Sequence, residues 1–275
     1  PYIISAATNT GYTFTGWSVS SGTGVTIASP ASAVTTVTLT EGNGAVLASF
    51  VPNEYLVTFE PTGGSTPDPD SKIVTFDSLY GTLPSVSRAG YVFAGWWTGT
   101  GGAGNLITSS TTVSATMNHT LYAAWSDAVY VSPSGNSGNS GLLPAAAKNT
   151  IADGITAALG SGISLVRISQ GTYNVSSSIA MVPGVSLQGG WNSAFTVRNR
   201  TLYRSVVSST APLYPLFDVT DSGISGVIYE GLNIEINASA SGSTTAFRIS
   251  NNASPIIQDN EIYVRSTSGD GSYVY

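Results

Sequence analysis

The residues whose types and spacing suit chemistry are carboxylates in the second half of this 275-residue chain. Beyond residue 126 they are Asp127, Asp153, Asp218, Asp221, Glu230, Glu235, Asp259, Glu261 and Asp270. Two stretches align there 28 residues apart, Ile228-Tyr229-Glu230-Gly231-Leu232-Asn233-Ile234-Glu235-Ile236 and Ile256-Ile257-Gln258-Asp259-Asn260-Glu261-Ile262-Tyr263-Val264. If they stack as equivalent strands, Glu230 and Asp259 come together, with Arg248 on the intervening stretch. Two carboxyls spaced to hold a water can cleave a glycosidic bond. Clustered carboxylate oxygens can instead hold calcium. The plainer account of Glu230, Arg248 and Asp259 is a solvated surface of Arg–carboxylate pairs. Asp218 and Asp221, three apart, are expected to flank a turn.

Other candidates carry less. Asp68 and Asp70, in Thr66-Pro67-Asp68-Pro69-Asp70, would bind calcium weakly, since they lack the full ligand spacing of a calcium loop. A solvated turn is the preferred reading, and no other cofactor is expected. The single histidine, His119, sits beside Asn118 near a turn and reads as an exposed, non-functional residue. A Ser-His-Asp triad would need it to meet a serine across modules, which nothing supports. With no cysteine there is no disulfide framework and no thiolate metal site. Sequons such as Asn118-His119-Thr120 and Asn237-Ala238-Ser239 are expected by chance in a chain so rich in Asn, Ser and Thr.

The elements that position these residues begin with a repeat. Gly11-Tyr12-Thr13-Phe14-Thr15-Gly16-Trp17 returns 79 residues later as Gly90-Tyr91-Val92-Phe93-Ala94-Gly95-Trp96, with five of seven positions identical. Each copy ends in an apolar strand, Val46-Leu47-Ala48-Ser49-Phe50 and Leu121-Tyr122-Ala123-Ala124-Trp125. Two copies of one small β-unit follow. Tyr12 and Phe14 share one strand face, as do Tyr91 and Phe93. Gly16 and Gly95 then permit a bulge that re-aims the next residue, so that Trp17 and Trp96 cap a small core. These aromatics, with Trp125, read as structural, whereas an exposed Trp97 would stack on a sugar. The Thr-rich run 35–40 alternates with Val and Leu, which marks a half-buried strand more simply than an ice-binding face.

The motifs Val57-Thr58-Phe59, Pro61-Thr62-Gly63-Gly64, Tyr80-Gly81-Thr82-Leu83-Pro84, Arg88 through Trp96 and Thr120 through Trp125 make residues 55–125 resemble an internalin-type B-repeat, a small β-grasp module of bacterial surface proteins. Residues 1–51 resemble the divergent form of that repeat, without its first hairpin, so that the chain is expected to start within a domain. The resemblance implies an extracellular spacer or interaction module and transfers no catalytic residue.

The turn-rich run 132–141 follows the strand-like Val129-Tyr130-Val131 and reads as a surface loop inside the next domain. Residues 145–159 predict a helix, with Asn149 or Thr150 as an internal cap and Gly160 as the left-handed C-terminal residue. Its apolar face would carry Ile151, Ile155, Ala158 and Leu159. A ladder of short β segments then turns at Asn and Gly, and its 28-residue period predicts a parallel stack of coils sharing one core. Gly171-Thr172-Tyr173, Gly184 through Asn192 (containing Trp191) and Ser254 through Asn260 resemble the start of a right-handed β-helix of the pectin-lyase-like class. That resemblance implies that the helix caps the N-terminal end. The stop at Ser272-Tyr273-Val274-Tyr275 suggests a stack continued beyond the chain or by a partner. Many members of that class cleave acidic polysaccharides.

The predicted fold is therefore mainly β: two small β-grasp-like modules, 1–52 and 53–126, and a right-handed parallel β-helix with an N-terminal capping helix over 127–275. Only 9% of residues are charged, against ~25% in an average soluble protein, and the net charge is −6. A coiled coil and a charged disordered chain are excluded. Nine basic residues in an acidic chain argue against a nucleic-acid partner, and no apolar run is long enough to insert in a membrane. The composition and modules point to an exported, cell-surface structural or adhesive protein. Its expected partners are copies of itself, other surface proteins or surface glycans. Filament formation is plausible because low charge weakens repulsion between copies. A carbohydrate-binding or polysaccharide-cleaving protein is the alternative.

Overall fold

The computed structural model describes residues 1–209, 215–238 and 245–266. The chain divides into two compact units, one of Pro1–Val86 with Gly95–Ala124, the other of Ser87–Ala94 with Trp125–Tyr275. Asp270, Ser239 and residues 272–275 lie outside the described residues.

In the first unit the strands are β1 (Tyr2–Ser5), β2 (Tyr12–Ser21), β3 (Val25–Ile27), β4 (Val34–Leu39), β5 (Ala45–Pro52), β6 (Glu54–Glu60), β7 (Ser71–Thr75), β8 (Val92–Trp97), β9 (Leu106–Ile107) and β10 (His119–Ser126). β8 and β10 each carry residues of both units. The first repeat forms an antiparallel sheet β1-β4-β3 and a two-stranded antiparallel ladder of β2 and β5. Tyr12 and Phe14 face inward with Thr13 and Thr15 exposed. Phe14 packs on Phe50 at 5.6 Å and on Trp17 at 5.7 Å. The register steps from Phe14↔Phe50 to Gly16↔Ser49, which is the bulge expected at Gly16. β4 is a half-buried strand, with Val37 half-buried and Thr38 exposed as expected, but its first pair is inverted. Val34 is exposed and Thr35 is buried, because the Thr35 hydroxyl accepts the Ser29 amide at 2.9 Å.

The second repeat is a five-stranded sheet in the order β7-β6-β10-β8-β9, with β10 parallel to β6 and β7 antiparallel to it. Val57, Phe59, Val74, Tyr80, Trp96, Ile107, Val113 and Leu121 are all buried. Trp96 is central to this core, not a cap at its rim: it is 2% exposed and packs tilted against Phe59, ring centroids 5.0 Å apart. Its indole N–H donates to the Pro84 carbonyl at 2.9 Å, which satisfies the one polar atom it buries. Trp17 stays half-buried, donating to the Ser32 carbonyl.

The second unit contains β11 (Val129–Val131), α1 (Ile151–Ser161), β12 (Leu165–Ser169), β13 (Gly171–Asn174), β14 (Ile179–Ala180), β15 (Ser186–Trp191), β16 (Ser205–Ser209), β17 (Phe217–Val219), β18 (Ser225–Glu230), β19 (Leu232–Ala238), β20 (Phe247–Ile249), β21 (Ser254–Gln258) and β22 (Glu261–Ser266). They form three sheets, β11-β12-β15-β18-β21, β13-β16-β19-β22 and β14-β17-β20, in which every pair is parallel. From β12 onward the chain visits the three sheets in rotation, so each circuit adds one strand to each. Inward side chains line up one per circuit: Val166, Leu187 and Tyr229 on the first sheet, Tyr173, Val207 and Ile234 on the second, Ile179 and Phe217 on the third. The aligned segments pair as expected, Ile228↔Ile256 and Ile234↔Ile262.

The helix starts later than the sequence predicts. Residues 144–146 make a single 3-10 turn, and after it Lys148 N–H donates to the Tyr130 carbonyl and Ser132 N–H to the Lys148 carbonyl, so the chain bridges to β11 before the α-helix begins. The same bonds tie down the loop 132–141, with Asn136 N–H donating to the Ala147 carbonyl. Thr150 is the N-cap, accepting the Asp153 amide at 3.0 Å. The left-handed C-cap is Gly162, φ +69°, not Gly160, which lies within the helix. Ile151, Ile155 and Ala158 are buried, but Leu159 is 58% exposed. The buried stripe instead passes through Gly154, where a Cβ would stand 2.4 Å from Val131 Cγ2. Glycine is required there for the helix to lie this close to β11.

Candidate functional site

The carboxylates cluster at the corner between the first and second sheets. Glu230 ends β18, Gly231 turns the chain at φ +70°, and Leu232 opens β19. One circuit on, Gln258, Asp259 (φ +58°), Asn260 and Glu261 repeat the corner. Outward residues of the first sheet form a register row, Arg167, Gln188, Glu230 and Gln258.

Glu230 is enclosed by that row. It accepts from Gln188 at 2.9 Å and Gln258 at 2.8 Å, and pairs with Arg198 at 3.0 Å. Gln188 in turn accepts the Trp191 indole N–H at 3.1 Å. Burial pushes the Glu230 carboxyl upward. The two amide donors and the Arg198 and Arg200 guanidiniums outweigh that and hold it below its ordinary value. A general acid requires the opposite shift.

The structure does not assemble the expected trio. Glu230 faces Gln258 in register, so Asp259 falls one residue past it, in the turn. Asp259 pairs with Arg200 at 2.9 Å. Arg248 lies on the third sheet, opposite Asp218, and pairs with that residue at 2.7 Å. A residue 18 positions past Glu230 has already rotated to another face of the stack. The arginines that meet Glu230 and Asp259 come instead from the excursion 192–204 between β15 and β16. Arg198 reaches Glu230, Arg200 reaches Asp259, and Arg204 lies 3.5 Å from Glu235 and 3.8 Å from Glu261. Sequence reasoning missed these three, because a loop that reaches forward over two circuits leaves no mark in the period.

Between this strap and the corner lies a polar cleft of about 210 Å³, lined by Arg200, Thr201, Asn233, Asp259, Asn260 and Glu261 among others. Asn233, nearly buried, donates to Glu261 at 2.6 Å, and the Tyr263 hydroxyl donates to the same oxygen at 3.3 Å. The cleft offers guanidinium, amide and carboxylate groups, a set suited to hydrogen-bonding a hydroxyl-rich ligand. Elsewhere on the unit, Arg167 grips Asp127 with two bonds of 2.9 and 3.0 Å, its guanidinium 5.1 Å from the Trp191 ring. Asp221 caps a turn by accepting the Gly223 amide.

In the first unit, Asp70 accepts from the Ser71 hydroxyl, and Asp68 precedes the cis-proline Pro69. Among the described residues no group of three or more His, Asp or Glu side chains gathers as metal ligands. His119 is half-buried, contrary to the expected exposure. Its Nδ1 lies 3.1 Å from the Met117 carbonyl and its Nε2 2.7 Å from the buried Tyr80 hydroxyl. A neutral ring satisfies both by donating at Nδ1 and accepting at Nε2. Asn118 accepts the Leu56 amide. Trp97 is half-buried. In the second unit, Phe93 and Trp125 pack at 5.5 Å and Arg88 lies over the Tyr91 ring.

No helix among the described residues is long and apolar enough to cross a membrane. No curated protein and no solved structure matches the chain. Residues 55–124 match the family model of the Listeria-Bacteroides repeat domain, and residues 2–54 match that of the divergent InlB B-repeat domain. Residues 2–124 are thus two tandem B-repeats of the kind typical of bacterial surface proteins.

Proposed function

We propose that this is an extracellular or cell-surface bacterial protein with a structural or adhesive role. Its β-grasp B-repeats serve as spacers, and the second unit is a shaft, a right-handed parallel β-helix with α1 as its N-terminal cap. The observation that carries this reading is the unbroken interior row Val166–Leu187–Tyr229–Ile257, one residue per circuit. Such a stack gains a core only by adding neighbours and so extends in one direction. Right-handed crossovers between parallel strands are the rule in about 98% of cases, which supports the hand. The pairing of Glu230, Asp259 and Asp218 with arginines supports a structural surface over an acid/base site. The partners proposed are copies of the chain or other surface proteins. Sedimentation of the purified chain with electron microscopy tests this: ordered filaments or sheets support the structural role, and a dispersed monomer at high concentration rejects self-assembly.

The polar cleft beside Arg200 favours a second reading, binding of surface polysaccharides. A glycan screen with wild type and Arg200→Ala decides it. Glycan binding lost in the variant supports this reading, and no binding by wild type removes it.

A further inference from the structure

The second repeat carries a cleft of about 320 Å³ at the start of β10, lined by Tyr80, Ile107, Ala115 and His119 among others. Tyr80 and Ile107 are buried and Ala115 and His119 half-buried, so these four make its inner wall. His119 engages both ring nitrogens inside the protein, on the Met117 carbonyl and the Tyr80 hydroxyl, and its ring stands at 89° to that of Tyr80. The inner wall is therefore largely apolar. The first repeat has Gly44 at the matching position, two residues before Val46 as His119 is two before Leu121, and still forms its β2–β5 ladder. The strand pairing of the module thus does not require the histidine.

The mouth of the cleft is polar and held in place. Asn105, Thr112 and Ser114 are exposed there, and their side chains make no hydrogen bond among the described residues. The Thr98 amide donates to the Asn105 carbonyl at 3.1 Å, and the Asn105 amide donates to the Thr98 hydroxyl at 2.9 Å. On either side of Thr112, the Tyr80 amide donates to the Thr111 carbonyl at 2.9 Å and the Val113 amide to the Ser78 carbonyl at 2.8 Å. Groups fixed in this way lose little freedom when they bind. No Lys, Arg, Asp or Glu lines the cleft, and Lys72, which reaches Tyr80, donates to the Tyr80 and Thr82 carbonyls.

We propose that this cleft binds one uncharged hexopyranose residue of a glycan. A sugar ring has an apolar C–H face and a rim of hydroxyls. The cleft meets these with an apolar inner wall and with amide and hydroxyl groups at its mouth. Its volume lies at the low end of ligand pockets, about 300–1,000 Å³, and so suits one ring rather than several. A uronic acid is rejected, because its carboxylate would lose water against Ile107 and Ala115 with no cation to pair with. The site belongs to the first unit and is independent of the Arg200 cleft in the second.

Because the chain has one histidine, the NMR signals of its ring report on this site without ambiguity. The full chain is titrated with the methyl glycosides of glucose, galactose, mannose and N-acetylglucosamine, and with methyl glucuronide as the charged control. At least one neutral glycoside should shift the His119 ring signals and the Thr112 and Ser114 amide signals saturably at millimolar concentration, and the glucuronide should not. Thr112→Val combined with Ser114→Ala removes two hydroxyls from the mouth and should weaken binding about tenfold. Both residues are exposed and make no side-chain bond, so the fold should persist, and unchanged signals from the buried Val57 and Leu121 verify that. Thr116→Val, on the same exposed segment but outside the cleft, should leave the affinity as it is. The proposal is overturned if none of the four neutral glycosides shifts the His119 ring, if the glucuronide binds as tightly as they do, or if the double variant binds like wild type.

Discussion

Replacing Asn260 with alanine should loosen the stack at one corner. The Asn260 Oδ1 accepts the Leu232 amide at 2.9 Å, and its Nδ2 donates to the Tyr229 carbonyl at 2.8 Å. One side chain thus holds both backbone groups of the preceding circuit's turn. Leu232 and Tyr229 are both buried, so alanine strands a donor and an acceptor beneath the corner. Each lost bond removes about 0.5–1.5 kcal/mol, and a buried group left unpaired costs about 1–3 kcal/mol. Water reaching the half-exposed position recovers part of this, which leaves a loss of about 2–4 kcal/mol. At roughly 2–4 °C per kcal/mol for a unit of this size, Tm should fall by about 5–15 °C. Calorimetry measures the shift, and amide exchange at Leu232 locates it. Asn260→Asp keeps the acceptor but turns a carboxylate oxygen toward the Tyr229 carbonyl, so it should not restore stability. A shift under about 2 °C with Leu232 exchange unchanged would refute the idea that the corner asparagine ties successive circuits together.

On α1, Ile155→Ala should cost about 2–5 kcal/mol in chemical denaturation, whereas Leu159→Ala should stay within about 0.5 kcal/mol. The reverse order would displace the buried stripe. Gly189→Ala would put a Cβ 2.3 Å from the Gly231 carbonyl oxygen, which is backbone and cannot swing away. It should destabilise by about 1–3 kcal/mol or more, while Gly160→Ala, in open space on the helix, should stabilise by about 1 kcal/mol. Glu230 titrates below its ordinary value when folded, so its contribution is present above the unfolded value near 4.5 and is lost as pH falls through the lower folded value. Glu230→Gln should flatten that acid limb of the stability curve, and an unchanged limb would move the cause elsewhere. Burial pushes the Tyr229 hydroxyl up to about 12 from 10.0, so stability should decline between those pH values as the unfolded chain ionises first. Tyr229→Phe should remove that part of the alkaline loss in a pH-jump denaturation series.

Much of the fold was legible as pattern. The Gly-aromatic repeat foretold the strand face of Tyr12 and Phe14 and the bulge at Gly16, because a strand's period of two and glycine's freedom are local properties. The 28-residue offset set the pairing of β18 with β21 and of β19 with β22, because stacked circuits must superpose inward residues. The helix boundaries were less legible. Whether residues 147–149 wind or bridge depends on β11, a partner outside the helix's own sequence. His119 was misplaced for the same reason: the Tyr80 hydroxyl, a distant partner, draws its ring into a half-buried position.

The sequence by itself determined the two modules, their shared aromatic grammar, the 28-residue step from β18 to β21 and the absence of cysteine chemistry. These follow from residue types at short or repeating spacings. Only the tertiary structure decided which charge meets which. Arg248 looked central because it falls between Glu230 and Asp259 in the chain, yet rotation around the stack carries it to Asp218. The excursion 192–204 brings Arg198 and Arg200 forward to the two carboxylates, over a distance that no spacing encodes.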